Sequence, residues 1–295
     1  MQLSGLGVAL ITPFDQNGNL DLFALEELVD SLIVSGVNYL VLLGTTAETS
    51  VLSQEEKERV KASVIAANAK RVPLILGLGS NNTRALCDAV KELNVSDFDA
   101  LLSVTPYYNK PNQRGLLAHY KALSQVSELP IVLYNVPSRT GVNLLPETTL
   151  ELAASSKVFI GIKEACGDRQ QIGRLIEHAP KGFEVVSGDD LTAVESILMG
   201  ASGVISVVGQ ALPAHTLAAV TAALRKEQDL ALSLNASMTA LVQLLFEEGN
   251  PAGVKALLSL MSDIKSTVRL PLVEASNDLQ FRLAQELDIL KAITV

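Results

Sequence analysis

Phe159-Ile160-Gly161-Ile162-Lys163-Glu164 is a short apolar run that closes on a lysine and a glutamate. Its residue types suit a strand. Period-two alternation puts Phe159, Gly161 and Lys163 on one face and Ile162 and Glu164 on the other. If Gly161 faces the interior of a closed sheet, Lys163 faces it too. Seven similar runs lie at 7–11, 39–43, 74–78, 100–104, 131–134, 184–187 and 203–207. Between them stand longer segments of helical period, such as 22–34, 54–67, 83–93 and 116–124, and several have a helix-start residue, as at Ser53, Asn82 and Asp189.

Strands alternating with helices make a parallel α/β sheet. Eight of them fit an open doubly wound sheet or a closed barrel. No nucleotide-motif switch point is visible, which favours a (β/α)₈ TIM barrel with a C-terminal helical extension. Such a barrel takes about 250 residues, and the chain has 295. After residue 227 the strand signals stop. Helical patterns at 230–247, 252–262 and 276–290 are broken by Gly249-Asn250-Pro251 and Leu270-Pro271. The expected division is 1–227 for the catalytic barrel and 228–295 for the helical domain.

Composition narrows the class. Hydrophobic residues make up 48% of the chain and aromatic ones only 4%, with no Trp, so the core is built from Leu, Val, Ile and Ala. A formal charge of −9 without a basic stretch argues against nucleic acid as a partner. No run approaches 18 apolar residues and residues 1–11 lack the layout of a signal peptide, so no membrane association is expected and a cytoplasmic location is. Cys87 and Cys166 are too few for a disulfide framework and sit in no metal spacing, which suits small buried thiols.

Reactive residues at the C-terminal ends of barrel strands carry functional weight. Those ends read Gly44-Thr45-Thr46-Ala47-Glu48, Thr105-Pro106-Tyr107-Tyr108, Tyr134-Asn135-Val136-Pro137-Ser138-Arg139-Thr140-Gly141 and Ile162-Lys163-Glu164. A lysine pushed into a low-dielectric barrel sheds its proton more readily, and a neutral amine attacks a carbonyl carbon to give an imine. A snorkelling lysine, or one paired with a carboxylate, is the structural alternative. Thr45, Tyr108 and Tyr134 are hydroxyl carriers able to relay protons around such an imine; a barrel-layer aromatic would also explain Tyr134, and a helix-cap hydroxyl Thr45. Arg139 offers a fork of donors for a carboxylate, or a surface ion pair. Thr46 and Thr45 can serve a second carboxylate, so a 2-oxo acid is a natural electrophile.

Other signals are weak. Gly77-Leu78-Gly79 lacks the third glycine of a dinucleotide fingerprint, since Asn82 stands there. His119, His178 and His215 stand singly and suit surface or packing positions. Asp189-Asp190 is explained by a turn and a helix start, so neither metal nor cofactor is expected.

Taken together over nearly the whole chain, from Ile11-Thr12-Pro13-Phe14 to Asn250-Pro251 and Arg269-Leu270-Pro271, these motifs resemble the dihydrodipicolinate synthase family of the pyruvate-dependent aldolase and N-acetylneuraminate lyase superfamily. Arg139 favours the synthase branch. The resemblance implies condensation of pyruvate with L-aspartate 4-semialdehyde. It also implies roles: Lys163 forms the imine, Tyr134, Thr45 and Tyr108 relay protons, Thr46 holds the pyruvate carboxylate, Arg139 holds that of the aldehyde, and backbone groups of Gly188 and Ile205 line the floor. Tyr108 would act across a subunit interface, which implies a homo-oligomer, expected as a tetramer built as a dimer of dimers. Ala47 and Gln210 depart from the family's usual Gly and Asn; Ala47 requires ordinary backbone angles in its loop. Asn81 and Tyr107 match the lysine-sensitive pattern, whereas Gln54, Lys57 and Ala85 do not, so weak or absent inhibition by lysine is expected. Rival readings are a sugar-acid aldolase on the same scaffold and a binding protein that senses a keto acid.

Overall fold

A computed structural model describes residues 1–293; Thr294 and Val295, the last two positions of the expected extension, lie outside the described residues. Eight strands, β1 (Gly5–Ala9), β2 (Tyr39–Leu42), β3 (Leu74–Gly77), β4 (Ala100–Val104), β5 (Ile131–Asn135), β6 (Phe159–Glu164), β7 (Glu184–Ser187) and β8 (Gly203–Ser206), pair in sequence order, all parallel. β8 closes on β1 with Gly203 beside Gly5, so the sheet is a barrel and not an open sheet.

Helices α1 (Leu22–Val34), α2 (Gln54–Asn68), α3 (Thr83–Lys91), α4 (Gln113–Ser124), α5 (Pro137–Thr140), α6 (Pro146–Ser155), α7 (Arg169–His178), α8 (Ala193–Met199) and α9 (Pro213–Leu224) are interleaved with the strands and follow β8. Polar side-chain caps define five of these starts, while α5, α6 and α9 begin at a proline. Ser53 and Glu56 form a reciprocal capping box on α2, and Asp21, Asn82, Asn112 and Asp168 accept backbone N–H groups at the heads of α1, α3, α4 and α7. Then come α10 (Gln228–Glu247), α11 (Ala252–Ser259) and α12 (Asn277–Ile293). By length and composition α10 is long and apolar enough to cross a membrane. Here it packs against α9, α11 and α12, with Ala231, Met238, Leu241, Val242 and Leu245 buried.

Two apolar clusters fill the molecule. The larger joins the outer strand faces to the helices, and the smaller fills the barrel with Leu3, Tyr39, Val41, Leu102, Tyr134, Ile205 and their neighbours. Leu3 plugs the N-terminal end, where Tyr39 Oη donates to its carbonyl at 3.3 Å. Gly7 is required there, because a Cβ would fall 2.1 Å from the Tyr39 ring.

Three sequence expectations need correction. β1 starts two residues before Gly7, because Gly5 and Leu6 already pair with Gly203 and Val204, and ends two before Ile11, whose N–H donates to Gln210 Oε1 at 2.9 Å. A register shift between β5 and β6 breaks the alternation at the start of β6, so Phe159 joins the outer cluster, edge-on to Tyr120 at 6.5 Å; the inward parity holds from Gly161 to Lys163. Asp189 does not start a helix. Its carboxylate accepts from Leu191 N at 2.9 Å in a turn, and α8 begins only at Ala193.

Candidate active site

Period-two geometry turns Lys163 into the barrel at the C-terminal end of β6, where it is 5% exposed. Tyr134 stands beside it in the β5–β6 register, and Lys163 Nζ lies 4.6 Å from the centroid of its ring. On the other flank, β7 runs into Gly188, where a Cβ would fall 2.8 Å from Lys163 Cε. A side chain at 188 would crowd both the lysine stem and Ala165 Cβ, also 2.8 Å away. The Gly188 N–H is committed to Glu164 O at 2.7 Å. Ile205 is fully buried in the interior cluster.

Outward-facing neighbours brace this wall. Glu164 accepts from Asn135 Nδ2 at 2.9 Å, Gln171 Nε2 at 3.0 Å and Cys166 N at 2.8 Å. Burial pushes its carboxyl up from the usual carboxylate range while these donors oppose the shift. Asn135 Oδ1 also accepts from Leu144 N at 2.9 Å, which ties β5 and β6 to the segment after α5. Asp190, its carboxyl likewise raised by burial, accepts from Val207 N and Val208 N at 2.9 and 3.0 Å and fixes the chain just past Ile205. Cys166, half-buried beside Glu164, is pushed up to about 12 by burial and is an inert thiol, and Cys87 is buried.

The turn after β2 carries Thr45 and Thr46. Positive φ values fall at Leu43 and Glu48, both at 53°, so Ala47 keeps the ordinary angles its methyl demands. Thr49 Oγ1 donates within this turn at 2.7 Å to Gly44 O, and Thr12 Oγ1 donates at 2.8 Å to Ala47 O. Thr46 is buried, while Thr45 is exposed and lines a cleft of about 930 Å³ with Tyr107, Tyr134 and Arg139. That cleft runs on from the barrel mouth along α2 and α3. Arg139 rides on α5 and, among the described residues, forms no ion pair within the chain.

The chain therefore brings Lys163, Tyr134 and Gly188 together and sets Thr45 and Arg139 on one cleft with Tyr134. It does not bring Tyr108 to them. Tyr108 is 86% exposed, with φ at 72°, and does not line the cleft. Gln210 is buried and holds Ile11 N, Ala9 O and Val207 O, so its side chain seals β8 to β1. His119 is buried and His178 exposed. Sequence reading overlooked Asn250 as a site residue. Its Nδ2 donates to Thr46 Oγ1 at 2.9 Å across 204 positions, a contact that no local pattern announces.

Fold and site define a (β/α)₈-barrel protein with a buried primary amine at its C-terminal mouth. The model of the Dihydrodipicolinate synthetase family matches residues 2–290. The chain belongs to that family. A 4-hydroxy-tetrahydrodipicolinate synthase of Flavobacterium psychrophilum is 47% identical over 279 residues, covering 95% of each chain. Two solved structures are similarly close. The dihydrodipicolinate synthase of Thermotoga maritima superposes with a TM-score of 0.96 at 38% identity, over 99% of both chains. The chloride-inhibited enzyme of Acinetobacter baumannii, solved with pyruvate, gives 0.95 at 40% identity, over 98% of this chain and 99% of that one.

Proposed function

We propose that the chain condenses pyruvate with L-aspartate 4-semialdehyde to 4-hydroxy-tetrahydrodipicolinate, through an imine on Lys163. The carrying observation is the placement of Lys163: a primary amine 5% exposed, against the Tyr134 ring, at the end of an inward-facing strand. Family membership supplies the substrates, since relatives at 47% identity carry the synthase name and one solved relative holds pyruvate.

The chemistry follows from the side chains. Lys163 Nζ, unprotonated, attacks C2 of pyruvate to give a carbinolamine, and loss of water gives the imine. Removal of a methyl proton makes an enamine whose C3 attacks the aldehyde carbon of the second substrate, and the aldehyde oxygen takes up a proton as the new hydroxyl. The amino group of that substrate then adds to the imine carbon, closes the six-membered ring and expels Lys163. One water is released in all and the lysine is regenerated. Tyr134, Thr45 and Tyr108 move the protons without carrying a net charge. Thr46 donates to the pyruvate carboxylate, Arg139 takes the carboxylate of the semialdehyde, and backbone groups of Gly188 and Ile205 form the floor. The covalent imine does the work of an electron sink, so the reaction asks for no metal or cofactor.

Tyr108 belongs to the relay of a neighbouring subunit in this reading. Its 86% exposure within one chain supports that role, in a tetramer arranged as a dimer of dimers. The barrel unit is assigned to 1–227 and the helical unit to 228–295, in a cytoplasmic enzyme inhibited weakly or not at all by lysine.

The test compares two reactions of the purified protein. Condensation of pyruvate with the semialdehyde is expected to proceed, and N-acetylneuraminate is expected not to be cleaved. Arg139→Ala is expected to raise KM for the semialdehyde by about ten- to a hundredfold, the loss of a charge-assisted hydrogen bond. Faster cleavage of the sugar acid than condensation would overturn this reading in favour of a sugar-acid aldolase.

A further inference from the structure

The segment between α10 and α12 reaches back into the barrel mouth. Asn250, 8% exposed, donates from Nδ2 to Thr46 Oγ1 at 2.9 Å, while its Oδ1 is buried with no hydrogen-bond partner among the described residues. Two positions beyond Thr46, Glu48 turns its carboxylate into the same segment. Glu48 and Lys255 form an ion pair at 2.5 Å, with side chains 1% and 0% exposed. Lys255 Nζ also donates to Thr267 O at 2.9 Å and lies 4.1 Å over the Phe14 ring, and Arg269 N donates to Glu48 Oε2 at 2.9 Å. The turn that carries Thr45 and Thr46 is thus clamped by Asn250, Lys255 and Arg269.

A threonine hydroxyl has one proton to give and two lone pairs with which to accept. Where an amide N–H occupies a lone pair, the hydroxyl proton is directed elsewhere. A carboxylate only accepts. Asn250 therefore fixes Thr46 as a donor aimed away from the amide. The arrangement is not explained by stability, because an unmatched buried acceptor costs folding free energy that an apolar side chain would avoid.

We infer that Asn250 is a positioning residue of the active site: by donating to Thr46 Oγ1 it orients the Thr46 hydroxyl toward the carboxylate of the 2-oxo acid, with the Glu48–Lys255 pair holding the turn in place. The inference rests on the proposed role of Thr46, so the experiment separates the two. Steady-state kinetics of the full-length enzyme would be measured for Thr46→Val, Asn250→Ala and the double variant, with thermal unfolding of each. The isosteric Asn250→Asp, which loses the donor and fills the same space, serves as the second variant should Asn250→Ala fold poorly. Thr46→Val and Asn250→Ala are each expected to raise KM for pyruvate by about tenfold, the loss of one hydrogen bond to a charged group. The double variant is expected to rise no further than Thr46→Val alone, with KM for the semialdehyde and the midpoint of unfolding unchanged. Asn250→Asp should raise KM for pyruvate at least as much as Asn250→Ala. A raised KM in Thr46→Val with none in either Asn250 variant overturns the inference and leaves the reading of Thr46 standing. An unchanged KM in Thr46→Val overturns both. A drop in unfolding midpoint, with both KM values and kcat disturbed in the Asn250 variants alike, overturns the inference in favour of a purely structural Asn250.

Discussion

Lys163 is held on one side by the Tyr134 ring and on the other by the bare backbone of Gly188. A methyl at 188 would fall 2.8 Å from Ala165 Cβ and from Lys163 Cε and 3.0 Å from Lys163 Cγ, and the flexible lysine stem is the neighbour best able to yield. Gly188→Ala is therefore expected to lower kcat by about ten- to a hundredfold, the scale of a roughly 1 Å misplacement of a reacting group, while the fold stays intact by circular dichroism. An unchanged kcat would show that the amine has slack. The inward aim of Lys163 was legible from the sequence because side-chain parity in a strand is a local property. The packing of Gly188 on the lysine stem and the Asn250–Thr46 hydrogen bond were not, since they join residues from different elements. Arg139 was legible as a rim residue, and that it pairs with no carboxylate among the described residues emerged only in three dimensions.

At the scale of elements, the strands were readable because each is short, apolar and bounded by turn residues. Their ends were not always so. The apolar pair Leu10-Ile11 continues the pattern of β1 although at Ile11 the Gln210 side chain has replaced the ladder, and the register shift at Phe159 leaves no mark in composition. Contacts between helices were invisible for the same reason. His119 on α4 joins Thr83 at the head of α3 through Nδ1 at 2.9 Å, while its Nε2 is buried with no hydrogen-bond partner among the described residues. Burial lowers its pKa from 6.5 to about 4. Between pH 6.5 and 4 the unfolded chain binds this proton and the native protein does not, so the contribution is whole above 6.5 and is lost as pH falls through 4. The loss amounts to about 3 kcal/mol at one pKa unit per about 1.4 kcal/mol. Urea unfolding of His119→Gln is accordingly expected to show a shallower decline than the parent across that window. Parallel curves would contradict a neutral buried imidazole.

For the molecule as a whole, the formal charge of −9 and the apolar outer cluster say little about assembly, whereas Tyr108 says much. A tyrosine at 86% exposure with φ at 72° contributes nothing to its own barrel mouth. If it completes the relay of another subunit, Lys163→Ala and Tyr108→Phe subunits, each poorly active, are expected to recover activity when refolded together, because mixed pairs hold one site with both native residues. Failure of the mixture to exceed the sum of its parts would contradict the shared site. The expectations about catalysis depend on the amine of Lys163 attacking a 2-oxo acid. Borohydride reduction in the presence of pyruvate, followed by peptide mass spectrometry, tests that step directly. The expected result is a reduced pyruvate adduct on the peptide carrying Lys163, absent without pyruvate and absent in Lys163→Ala. An unmodified Lys163, or an adduct confined to another lysine, would contradict the imine mechanism.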